Sequence, residues 1–239
     1  LFNLNDISNI YYIKHFLSFI IFLTSSFFFF KILNKRFDNF YINFLGLFFY
    51  VTSPRILGDS FLYKDVLFLS FFTISLFFFL EAINKLSIKN LIYFSLFNAL
   101  AINLRIFAIF LPLFFIFILV IKNFHSNIIL KEYRKIIFYT LSLVVFTYIF
   151  WPYLWENPLQ KIVELFFSLD YLIKFKILYF DQYIPNEFLP STYIINWIII
   201  SSPIFQIIFF FFGYIFYSTR FLKRFLNIKN KLIYNDLWR

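Results

Sequence analysis

The sequence predicts an all-α, polytopic membrane helix bundle of about seven spans, with an amphipathic helix in a long external loop. Three observations carry that reading. The chain is 62% hydrophobic and 27% aromatic but only 14% charged, whereas a soluble domain is about half apolar and about a quarter charged. Long apolar runs recur along the whole chain, and the mean hydropathy is +0.80. The Lys and Arg residues fall in short loops between these runs, which is the pattern of membrane orientation. A net charge of +10 would otherwise suggest nucleic acid, but this distribution removes nucleic acid from the expected partners.

Taken in order, the apolar runs place spans at roughly 12–30, 39–53, 66–83, 90–104, 106–121, 136–151 and 191–218. Several fall short of the ~20 residues of a straight span. Flanking Lys, Asn and Tyr make up the length by reaching to the interface. Residues 90–121 read either as one long helix with a buried Arg105 or as two short helices turning at Arg105. Both flanks are basic (Lys85 and Lys89 on one side, Lys122, Lys131, Arg134 and Lys135 on the other), so both belong on one side of the membrane. An even number of crossings follows, which favours the turn. With loops 31–38, 81–89, 122–135 and 219–239 assigned to the cytoplasm, that side holds 15 of the 22 Lys and Arg and 4 of the 12 acids. The N-terminal end, the loop around Arg55 to Asp65, Arg105 and the segment 152–190 then share the external face. The whole chain, 1–239, reads as one transmembrane domain. It contains no Met and opens at Leu1 in mid-pattern, so it is expected to be an N-terminally truncated fragment.

The external segment 152–190 is entered through WPYLWENP, Trp151 to Pro158. Asn157 suits a helix cap, with Pro158 at the first helical position and Gln160 three residues past the cap. Beyond it Gln160, Lys161, Glu164, Ser168, Tyr171 and Lys174 mark a polar stripe against apolar neighbours, which predicts a helix lying on the membrane surface.

Charge is scarce, so its clusters are informative. Arg55, Asp59, Lys64 and Asp65 lie within one loop, SPRILGDSFLYKDVLF, between two apolar runs and on the face where cations are disfavoured. A single ionisable group at a membrane boundary ordinarily anchors a helix end in the headgroups; four together favour a functional cluster. The chemistry that fits is phosphate handling, with Arg and Lys on phosphate oxygens and a carboxylate orienting an acceptor or taking its proton. Arg105, in the apolar stretch AINLRIFAIFLP, is either a snorkelling Arg or a second phosphate-binding cation. His15 opens the first span, where an interfacial role is the plainer reading. Trp151 and Trp155 suit an aromatic belt, and Glu156 is the acid of that motif. The absence of Cys excludes a disulfide or thiolate site, and two His make a His-based metal site improbable. No cofactor is assigned, and a divalent cation stays open. No Walker loop, dinucleotide fingerprint or Ser-His-Asp order is present.

In order along the chain, Lys14-His15, then Ser53-Pro54-Arg55, Gly58, Ser60-Phe61 and Lys64-Asp65, the run Ala101 to Arg105, WPYLWENP, and Leu178 to Phe205 resemble bacterial membrane glycosyltransferases of the GT-C superfamily. The pattern is most similar to family 39, the protein O-mannosyltransferase-like branch. Relatives carry P-R-x-x-G-x-S-F-x-N-P-K-D where this chain has PRILGDSFLYKD. The resemblance implies a polyprenyl-phosphate sugar donor and transfer, commonly inverting, to a protein, lipid or glycan acceptor on the periplasmic or luminal side of a bacterial inner membrane. It implies that Asp65 is the acid of the second external loop, with Asp59 beside it, and that Arg55, Lys64, Arg105 and His15 serve the donor phosphate. Two departures stand out. Leu62-Tyr63 replaces a longer stretch with Asn-Pro, and the family's principal acid in the first external loop has no secure counterpart, since Asp6 lies too near Leu1. The expectation is that this loop precedes the fragment and that the isolated chain is inactive. The rival readings are a transporter or flippase for a lipid-linked or anionic substrate, which calls for Gly- or Pro-broken helices and charges at mid-membrane, and a non-catalytic membrane subunit.

Overall fold

The computed structural model describes residues 7–60, 65–126, 128–168 and 176–226. They divide into two compact units, one within Leu1–Asn34 and Gly58–Ile173, the other within Lys35–Leu57 and Lys174–Arg239. Helix dominates for a physical reason: in hydrocarbon every backbone N–H and C=O needs an internal partner, and a helix supplies it locally.

The helices are α1 (Ile7–Arg36), α2 (Phe40–Thr52), α3 (Pro54–Asp59), α4 (Asp65–Asn84), α5 (Ile88–Leu104), α6 (Phe110–Ser126), α7 (Ile128–Phe150), α8 (Pro158–Ser168), α9 (Tyr193–Ser201) and α10 (Ile204–Leu226). Each expected span falls on helix. Three helices, Ile10–Arg36, Asp65–Asn84 and Glu132–Phe150, are long and apolar enough to cross a membrane by themselves. Phe40–Thr52, Ile88–Leu104 and Ile106–Lys122 are shorter apolar helices.

The first unit is built on α4, α5, α6 and α7. Phe79, Ala82 and Ile83 of α4, Leu91 and Phe94 of α5, Leu111, Phe115 and Leu119 of α6 and Tyr139 of α7 form one buried cluster. Its centre is aromatic. Phe94 stacks on Tyr139 with centroids 4.9 Å apart and meets Phe115 edge-on at 5.3 Å. Phe94 precedes Arg105 and Phe115 follows it at nearly the same remove, so their contact shows the chain doubling back at Arg105, as the charge count favoured. Small side chains permit close approach of the helices: Ser70, Ser75, Ser95, Ala99 and Ala101 are fully buried. Ser142 of α7 donates to Ser95 of α5 at 3.0 Å across one such contact. At the opposite side of the unit, Phe28 of α1 packs against Phe77 at 5.2 Å.

In the second unit α2 is capped by Asn39, whose side chain accepts from the N–H of Tyr41 at 2.9 Å. Phe49 of α2 contacts Phe205 and Phe209 of α10 at 5.5 and 5.9 Å. Two departures from expectation lie here. The run 191–218 is not one span: α9 and α10 meet at a 115° bend. Ser202 is extended (φ −106, ψ 137) because it precedes Pro203, whose ring disfavours a helical residue before it and whose nitrogen has no N–H to continue the ladder. The segment 152–190 also carries an antiparallel hairpin, β1 (Lys176–Tyr179) and β2 (Gln182–Pro185), joined by the two-residue turn Phe180-Asp181. The expected surface helix is α8; its continuation through Tyr171 and Lys174 lies outside the described residues.

Candidate active site

The turn at Arg105 is assembled from backbone and amide groups. α5 ends at Leu104 and Arg105 is extended (φ −148, ψ 122), its N–H still bonded to the Ala101 carbonyl at 3.0 Å. A single 3-10 turn, Ile106–Ile109, follows, closed by the Ala108 N–H on the Arg105 carbonyl at 3.1 Å. Asn98, fully buried, donates Nδ2 to the Ala108 carbonyl at 3.3 Å. Asn103 donates Nδ2 to the carbonyl of Phe150, the last residue of α7. Beneath the turn Ala101, Ile102 and Ala108 form a small apolar cluster with Phe68, Phe71, Phe72, Leu143 and Trp151. An apolar bundle offers the backbone at a turn little to bond, so these two amides add to it: the Ala108 carbonyl accepts from the Phe110 N–H as well.

Held this way, the Arg105 guanidinium forms an ion pair with Asp65 through Nη2 and Oδ1. Asp65 opens α4, where the partial positive charge of a helix start favours a carboxylate. The side chains keep 45% and 60% of their exposure. The pair is therefore open to exchange with an incoming anion, and an exposed pair of this kind contributes little to stability. Only one guanidinium nitrogen is engaged with Asp65, and the planar group has five N–H donors to offer.

The other sequence-expected residues are more dispersed. Asp59 ends α3 half-buried, and Arg55, exposed on α3, belongs to the second unit. Among the described residues neither forms an ion pair. Lys64 lies outside the described residues. His15 stands on α1 with its ring 5.1 Å from Tyr11. Trp151 joins the apolar floor under Arg105. Trp155 donates Nε1 to the Tyr148 carbonyl at 2.8 Å, which folds the 3-10 turn Pro152–Leu154 back over the end of α7. Glu156 is exposed. Among the described residues no group of three or more His, Asp and Glu is placed to hold a metal ion.

Three side chains that hold these turns do not stand out in the sequence as site residues. Asn98 and Asn103 carried a usable signal, since each is an amide within the apolar run that leads to Arg105. Glu164 was legible only as one polar position of α8. It accepts from Lys161 Nζ at 2.9 Å, Gln160 at 3.0 Å and the Tyr153 hydroxyl at 3.3 Å, tying α8 to the WPYLWENP motif. The Lys161 hydrogen bond, reinforced by Gln160 and Tyr153, holds the Glu164 carboxyl below its ordinary range, and the same bond raises Lys161.

The described residues thus form apolar helices with a cation and a carboxylate paired at one exposed turn. Residues 14–151 match the family described as dolichyl-phosphate-mannose-protein mannosyltransferase, and the chain belongs to that family. It is, at the family's level, a membrane glycosyltransferase, mannosyltransferase-like. Comparison with curated proteins and with solved structures gives no significant match. The match covers Asp65, Arg105 and the amides that fix their turn, and ends at Trp151.

Proposed function

We propose that the chain is the core of an inverting glycosyltransferase that moves a sugar from a polyprenyl-phosphate-linked donor to a protein, lipid or glycan acceptor on the external face of the bacterial inner membrane. The Asp65–Arg105 pair, within the family-matched segment, is the observation that carries this reading. The acceptor hydroxyl attacks the anomeric carbon from the side opposite the phosphate. The bond from carbon to phosphate oxygen breaks, its electron pair leaves with the phosphate, and the acceptor proton passes to a carboxylate. Arg105 meets the charge that grows on the leaving phosphate, an interaction worth most in a low-dielectric site; for Arg55 and Lys64 the same role rests on the family resemblance alone. Asp65 holds the guanidinium in place before donor binding and, with Asp59, supplies carboxylate chemistry at the acceptor. The chain is multi-pass in this reading, and 152–190 is its external segment. His15 adds a further contact for the donor headgroup.

The test is transfer from a polyprenyl-phosphate sugar by the full-length protein in proteoliposomes. Asp65→Asn and Arg105→Ala each lower turnover by about 10²-fold or more with membrane insertion unchanged. Near-normal turnover in either variant removes its assigned role. One observation favours a second reading. The 115° break between α9 and α10 is the kind of interrupted helix that transporters use at their binding sites. Movement of a lipid-linked substrate across the vesicle without any product would select that reading instead.

A further inference from the structure

We propose that the β1–β2 hairpin docks one face on α9 and lays the other into the lipid headgroup–acyl boundary, as an interfacial anchor for the external segment. In the paired register, Ile177, Tyr179, Gln182 and Ile184 share one face, and Lys176, Leu178, Tyr183 and Pro185 share the other. The first face is turned to protein. The Tyr179 hydroxyl accepts from Asn196 Nδ2 at 2.6 Å. Its ring lies 5.4 Å from that of Tyr193, which in turn meets Trp197 at 6.4 Å. The second face stays open, with Leu178 at 53% and Tyr183 at 70% exposure.

The tip adds an independent observation. Phe180 and Asp181 both have positive φ, 44° and 63°. A two-residue turn of this kind normally takes Asn-Gly, and a bulky side chain adopts this backbone only against steric resistance. Here a phenyl ring occupies it and stands 70% exposed. The ring meets that of Tyr179 edge-on at 4.6 Å, yet most of it is left open, a placement for which water gives little return.

The height of the hairpin identifies what covers it. Asn196 and Tyr193 lie in the first turn of α9, where the apolar helix pair Tyr193–Ser201 and Ile204–Arg220 begins. The hairpin is thus tethered to the start of a helix pair that is, taken together, long and apolar enough to cross a membrane. Tyr and Phe with a Lys beside them are the composition of the membrane interface, because ring and stem enter the acyl edge while hydroxyl and ammonium stay wet. Asp181 keeps insertion shallow, since a carboxylate belongs among the headgroups.

The chain contains no cysteine, so an introduced one is a clean labelling position within it. Leu178→Cys, Phe180→Cys, Tyr183→Cys and Gln182→Cys are placed singly in the full-length protein, spin-labelled and reconstituted in bilayers. Collision with oxygen, which concentrates in lipid, is compared with collision with a water-soluble nickel chelate. Labels at 178, 180 and 183 are expected to favour oxygen, and the label at 182 to reverse the ratio. Preference for nickel at 178, 180 and 183 places that face in water and overturns the proposal. Protection from both reagents there means that protein covers it, a second copy or another chain, and overturns it equally. Oxygen preference at 182 as well sinks the two-faced arrangement.

Discussion

The Arg105 turn and the Phe180 turn solve the same problem with opposite materials. At Arg105 the chain reverses at an exposed end of the apolar helices, and two amides, the buried Asn98 and the half-buried Asn103, bond the carbonyls of Ala108 and Phe150. At Phe180 the chain reverses by its own ladder of strand hydrogen bonds and is fastened through one aromatic hydroxyl, Tyr179 to Asn196. Buried polar groups are costly unless bonded, so where they occur they mark a geometry that the fold maintains against that cost. Here that geometry presents a guanidinium. The second turn maintains an aromatic surface and leaves its fastening half in the open.

Four substitutions and conditions break or sharpen this contrast, from the largest effect down. Asp65→Asn or Arg105→Ala in the full-length enzyme lowers transfer by about 10²-fold or more, read as turnover of lipid-linked sugar, while the same assay on Tyr179→Phe stays near the parent value. Asn98→Leu removes the side-chain donor to the Ala108 carbonyl, which keeps only the Phe110 N–H, and costs about 1 kcal/mol, seen as a lower midpoint in thermal or denaturant unfolding and as a partial loss of transfer. Unchanged stability in that variant breaks the claim that buried amides maintain the turn. Tyr179→Phe removes the acceptor of the Asn196 hydrogen bond and costs about 1 kcal/mol, confined to faster hydrogen exchange in 176–197.

The smallest effect is the pH response of the WPYLWENP–α8 contact. Glu164 has its carboxyl lowered from an ordinary value of 4.5 by the Lys161 bond. A lowered folded value means that the contribution is fully present above 4.5 and fades as pH falls through the folded value. Both groups are solvent-exposed, so the loss is local. Protease cleavage between Trp155 and Ser168 should rise on acidification below 4.5, and Glu164→Gln should remove the rise.

The apolar runs and their breaks were legible because membrane helices announce themselves by length and hydropathy, and each expected span falls on helix. The reversal at Arg105 was legible from charge parity across the membrane, before any contact was known. The helix start at Pro158 was legible from local chemistry, and α8 begins there, although Gln160 bonds forward to Glu164 rather than back to Asn157. What joins residues across long separations was not. Nothing in the order of residues pairs Asp65 with Arg105, since each sits at a helix end whose position depends on how α4 and α5 pack. The α9–α10 break had a local signal, Ser202-Pro203, overridden in the reading by apolar sequence on both sides. The hairpin carried a weak turn signal, because only Asp181 is a usual turn residue and Phe180-Asp181 stands where Asn-Gly would be expected.

The most direct test of the account is a double-mutant cycle on Asp65 and Arg105, read as single-turnover transfer by the reconstituted full-length protein. If the two side chains act as one unit at the donor phosphate, Asp65→Asn with Arg105→Ala together costs no more than the worse single variant. Additive losses, or near-parent turnover in either single variant, would contradict a shared role for the pair.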